Sequence, residues 1–129
     1  MHRFTAIAAP TTVLMASAAQ GGNEESMLLR LDREQPHYAE LALSLWDKAE
    51  LGYLENESSA LLQDTLARAG FSIETGVAGL PTAFVASYGS GAPVIGLLAE
   101  FGALPGISQT AAPVREPATE KHSGHFFFF

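Results

Sequence analysis

The sequence has no cysteine among its 129 residues. That excludes a disulfide framework, a thiolate metal ligand and a Cys nucleophile. Basic residues are scarce, 7 Lys and Arg against 14 Asp and Glu, for a formal charge of -7. Nucleic-acid partners need clustered cations to displace counterions, so a nucleic-acid function is excluded. The apolar stretch near the start, Phe4 to Met15, is broken by Pro10 and is shorter than the ~20 residues a bilayer span requires, so no membrane anchor is expected. What remains is ordinary for a globular chain, 47% hydrophobic and 16% charged, with room for one domain.

The first residues differ from the rest. Arg3 precedes the apolar stretch, and Ala16-Ser17-Ala18 follows it as a small-residue cleavage pattern. Residues 1–18 are therefore expected to be an export signal, which makes the protein periplasmic or secreted; if they are instead an alanine-rich leader, it is cytoplasmic. Residues 19–34 are expected to be a leader or linker, and residues 35–129 the folded portion.

From Pro36 to Gly52, Tyr38, Leu41, Ala42, Leu45 and Ala49 recur at helical spacing, with Glu40, Ser44, Asp47 and Lys48 opposite. A second helix is expected in "ENESSALLQDTLARAGF", capped by Asn56 or Ser58, striped by Leu61, Leu62, Thr65, Leu66 and Ala69, and stopped by Gly70. The period then changes. "FSIETGV" reads as a short strand, "PTAFVASY" alternates, and "APVIGLLAEF" is a continuous apolar run of the buried-strand type. Gly89-Ser90-Gly91 between the last two predicts a hairpin. After Phe101, Pro105, Gly106, Pro113 and Pro117 predict a long loop. The inventory of two helices, a strand, a β-hairpin and a long loop is α/β, an incomplete layer with one face left to bury.

Three stretches carry a family resemblance: "LWDKAELGYLENESSALLQDTLARAGF", "GVAGLPTAFVASYGSGAPVIGLLAEF" and "ALPGISQ". Together they resemble the amino-terminal part of the catalytic domain of the metal-dependent amidohydrolases that include aminoacylases and glutamate carboxypeptidases, nearest the aminobenzoyl-glutamate hydrolase type. The resemblance implies a three-layer αβα zinc-peptidase-like domain with two divalent metals, zinc, manganese or cobalt. It also implies that a metal-bridging water attacks the amide carbon of an N-acyl amino acid while a glutamate takes the proton.

Two departures from the family pattern bear on activity. The acid that should stand immediately before A-L-P is replaced by Gly102, although Glu100 remains at the end of the expected strand, a candidate near the site. Further on, the family carries His-x-Cys-Gly-His. In one register His125 is the first His, and Phe126, Phe127 and Phe128 replace the remainder; in the other, Ser123 stands for Cys and Lys121 for the first His. Either way the thiolate is missing, and a neutral serine hydroxyl binds zinc far more weakly. His122 and His125 are left as weak metal-ligand candidates, and this chain is expected to bind no metal by itself.

The "FFFF" ending lacks any period, promotes self-association through exposed apolar surface, and reads as a truncation or a change of reading frame where the family motif should continue. The expected function is thus an inactive portion of an amidohydrolase acting on N-acyl or aminobenzoyl amino acids. Two alternatives are a non-catalytic piece that complements a separately encoded carboxy-terminal half, and an independent small enzyme using Glu100 and His125. Smaller signals resolve blandly: Asn56-Glu57-Ser58 as a cap rather than a glycosylation sequon, the "YGSG" serine as a turn residue, Gly89, Gly91 and Gly96 as no phosphate loop, and His37 as solvated.

Overall fold

The computed structural model describes residues 21–118 and 122–125. The expected export signal at 1–18, Lys121 and the four terminal phenylalanines lie outside the described residues. The chain divides into two compact units, 1–36 and 37–129, at a boundary that falls within the first helix.

Helix α1 runs Gly21–Lys48, so it begins at Gly21 and not at Pro36, which is an internal residue. Proline suits a first helical turn and costs about 3 kcal/mol inside a helix, which is why the start was expected there. The segment before it outweighs that cost. Glu24, Glu25, Met27, Leu28, Leu29, Arg30 and Leu31 are good helix formers, Ser26 Oγ donates to the Asn23 carbonyl at 2.9 Å, and Arg30 pairs with Glu34 one turn on at 3.1 Å.

In the second unit α1 ends before Ala49, which takes a left-handed φ of 46°, and Gly52 lies outside the helix. Helix α2, Asn56–Arg68, half-buries Leu61, Leu62, Thr65 and Leu66, as their spacing predicts. Gly70 stops it at a φ of 93°, with Phe71 N–H donating back to the Leu66 carbonyl at 3.0 Å. Neither Asn56 nor Ser58 caps its start by side chain. Instead, the Glu50 carboxylate accepts from the N–H groups of Glu57 at 3.0 Å and Ser58 at 2.7 Å.

Strands β1, Ser72–Thr75, and β2, Phe84–Ser87, form an antiparallel pair with Ser72 opposite Ser87 and Thr75 opposite Phe84. The hairpin therefore joins the first two expected strands. It does not run through Gly89-Ser90-Gly91 into the apolar stretch, which forms no strand: Val94, Ile95, Leu97 and Leu98 are 83–94% exposed. A continuous apolar run becomes a strand when neighbours cover both of its faces, and no described residues do so here. Two short strands complete the inventory, β3 at Leu104–Pro105 and β4 at Ser123–Gly124, paired antiparallel, with an isolated parallel bridge between Leu51 and Ala103. The described residues are thus mixed α/β, in two helices and two-stranded antiparallel sheets.

The buried apolar residues among them are Ala49 and Ala103, beside buried Glu55, Ser58, Ser59 and Thr82. So small a core means that polar links hold much of this unit, and they converge on the end of α1.

Candidate functional site

The last turn of α1 and the residues just after it are joined by three distant segments, at Ala103, at Gln109 and at Ser123 to His125. Ala103 N–H donates to the Glu50 carbonyl at 2.7 Å, Ser123 Oγ to Ala49 at 2.6 Å, and the Trp46 indole N–H to Gln109 at 3.1 Å. His125 Nε2 lies 3.0 Å from the Leu45 carbonyl. A carbonyl only accepts, so Nε2 carries hydrogen there and Nδ1 is the ring's other nitrogen. The ring also stacks obliquely on Trp46, 5.8 Å between centroids.

Strand pairing explains how His125 arrives. Leu104 faces Gly124 and Pro105 faces Ser123, so the "ALP" and "SGH" segments lie side by side, and the next residues along each strand are Ala103 and His125. Gly124 is buried and its register needs glycine: a Cβ there would overlap the Ile107 carbonyl. His122 is exposed, and its carbonyl, not its ring, holds the segment by accepting from Gly106 N–H at 2.7 Å. Glu100 is exposed on the unpaired apolar stretch and makes none of these contacts.

A second polar centre lies at the start of α2. Glu55 is 9% exposed and accepts from Thr82 Oγ1 at 2.7 Å, while Ser59 Oγ donates to the Thr82 carbonyl at 2.7 Å. Its other oxygen faces Gly102, where an added Cβ would stand 2.7 Å from it. Sequence reasoning passed over Glu55, which looks like one more acid before a helix. The signal that could have found it is the bare Gly102 itself, because a missing side chain leaves space for another.

Glu50 is held below the usual carboxylate range. Desolvation pushes it up, but donation from Glu57, from Ser58 and the Lys48 charge outweigh that. Lys48 is raised, chiefly by its bond to Glu57 at 2.7 Å.

These donors do not fit a dinuclear metal centre. Among the described residues no three His, Cys, Asp or Glu side chains converge. The hydrogen of Ser123 is committed to Ala49 and that of His125 Nε2 to Leu45, and Gly102 brings no carboxylate. Catalytic zinc sites use three protein ligands plus water.

Over 96 residues the chain is 36% identical to a p-aminobenzoyl-glutamate hydrolase subunit of Escherichia coli (strain K12), a match covering 74% of this chain. This chain is of the aminobenzoyl-glutamate hydrolase type. It spans about a fifth, 20%, of that relative's length. No protein-family profile matches the chain, and no solved structure does.

Proposed function

We propose that the chain contributes the amino-terminal part of a three-layer αβα amidohydrolase that cleaves N-acyl or aminobenzoyl amino acids, and that alone it does not catalyse the reaction. The observation that carries the reading is the 36% identity over 96 residues to a p-aminobenzoyl-glutamate hydrolase subunit. Inactivity is supported by the chain's own chemistry: zero cysteines, glycine at position 102, His125 committed to a backbone contact and His122 exposed. In the assembled enzyme a divalent metal, zinc, manganese or cobalt, supplies water activation and carbonyl polarisation. This chain does not hold it alone.

One observation favours a second reading, in which the chain is an assembly piece completed by a separately encoded polypeptide. The apolar residues Val94, Ile95, Leu97 and Leu98 lie open, with the composition of a buried strand. The relative's name also marks it as a subunit. Residues 1–18 would direct export, which amino-terminal sequencing of the secreted chain tests by a start after Ala18.

The main test is release of p-aminobenzoate from p-aminobenzoyl-glutamate with zinc, manganese or cobalt present. The chain alone is expected to release none. Mixed with a polypeptide matching the uncovered part of the Escherichia coli relative, it is expected to restore release if the assembly reading is right. Hydrolysis by the chain alone would overturn inactivity, and an inert mixture would overturn assembly.

A further inference from the structure

Every residue from Ser87 to Glu100 is exposed, and within that span Val94, Ile95, Leu97 and Leu98 are 83–94% exposed. Among the described residues, none from Tyr88 to Gly102 takes part in a backbone hydrogen bond. No charged residue stands between Glu74 and Glu100. The segment is thus apolar chain with its N–H and C=O groups open as well as its side chains.

The other large exposed apolar residues are presented differently. They lie in a helix or strand, in a hydrogen-bonded turn or loop, or, in the case of Tyr88, with the ring 5.2 Å from that of Phe71. An endopeptidase takes its substrate as an added strand, so it needs chain whose backbone groups are free and whose side chains can enter its pockets. Residues 93–98 meet both needs at once.

The chain on either side of this segment is joined elsewhere. Ala103 N–H donates to the Glu50 carbonyl at 2.7 Å, the Trp46 indole to Gln109 at 3.1 Å and Ser123 Oγ to Ala49 at 2.6 Å. The Phe84 and Phe101 rings lie 6.3 Å apart. Each of these contacts ties a residue before the segment to one after it, and none uses the segment itself.

We propose that residues 93–98 are a processing site, cut by an endopeptidase of apolar side-chain preference, and that the two pieces stay together after the cut. Water adds across one peptide bond, leaving a carboxylate on the first piece and an amine on the second, with no other co-reactant. The site rests on the open chain and not on the hydrolase reading. Its test involves no p-aminobenzoyl-glutamate, so either can fail while the other stands.

The test is brief digestion of the full chain with thermolysin, which cuts before apolar residues, with the cuts located by mass spectrometry. Between residues 21 and 118, the first cut is expected within 93–98. It should precede any at Leu28, Leu29 or Leu31, which are 55–64% exposed but helical. The pieces should co-elute in native gel filtration and separate in urea. A chain carrying Val94→Asp, Ile95→Asp, Leu97→Asp and Leu98→Asp should be cut there by thermolysin at least about tenfold more slowly, because its apolar pocket is left unfilled. Subtilisin, which tolerates most side chains, should still cut that variant within 93–98. All four positions are exposed, so the fold is expected to persist, which circular dichroism checks. A first cut elsewhere between 21 and 118, or pieces that part without denaturant, would overturn the proposal. So would a variant that thermolysin cuts as fast as the parent or that subtilisin spares at this segment.

Discussion

The carboxylate of Glu55 stands where a side chain at residue 102 would begin: a Cβ on Gly102 would lie 2.7 Å from Glu55 Oε1, and 3.5 Å from the Gly52 Cα. Contacts under 3.0 Å force movement, and both the Gly52 backbone and the Thr82 hydrogen bond limit where Glu55 can go. Any side chain at 102 therefore meets the carboxylate that Glu55 brings from the start of α2.

It follows that an acid placed at 102 collides with Glu55. Gly102→Asp should destabilise the fold by about 1–3 kcal/mol, from overpacking and from two carboxylates in one place. Gly102→Asp combined with Glu55→Ala should recover part of that loss. Thermal melts of the parent, both single variants and the double variant measure the coupling, and strict additivity would show that the two positions do not share space.

Acid should loosen α2 through Glu50. Its pKa is lowered on folding, so the unfolded chain binds more protons between the two values and stability rises with pH there. The contribution is in place above the unfolded value of about 4.3 and is lost as pH falls through the folded one. Glu50→Gln should flatten this acid-side slope and lower helicity near neutral pH, as circular dichroism across pH 2–7 would register. A slope identical to the parent's would remove Glu50 from the capping role.

How far the sequence anticipated these features follows from how local each cause is. Helix α2 was legible because its stripe and Gly70 stop act within one or two turns. Its cap was not, since Glu50 reaches it from outside the helix, seven and eight residues before the N–H groups it accepts from. The start of α1 was misread because Pro36 is a local signal overruled by the helix formers before it. Strands β3 and β4 are two residues each, too short to show any period. The Trp46 link to Gln109 crosses 63 residues and no pattern marks it. His125 was a candidate for reasons of family pattern, and the structure places it against the end of α1, apart from Glu100.

Self-association should follow from the open apolar stretch. Leu97 and Leu98 are 94% and 92% exposed and sit in a run that, unpaired, offers both apolar surface and free backbone groups. Leu97→Asp with Leu98→Asp should shift the chain toward monomer in sedimentation and reduce binding of hydrophobic dyes. A parent chain that is already a monodisperse monomer with a sharp melt would contradict this.

Zinc uptake by the dialysed chain should fall well below one equivalent per chain. Elemental analysis after incubation with zinc checks this, and stoichiometric zinc that is lost in His122→Ala and His125→Ala would show a site the described residues do not form.

The most direct measurement is hydrolysis of p-aminobenzoyl-glutamate by the purified full chain, alone and mixed with the polypeptide matching the part of the Escherichia coli hydrolase relative that it does not cover. The account predicts no p-aminobenzoate from the chain alone. Metal-dependent release by the chain alone, abolished by His125→Ala, would contradict it.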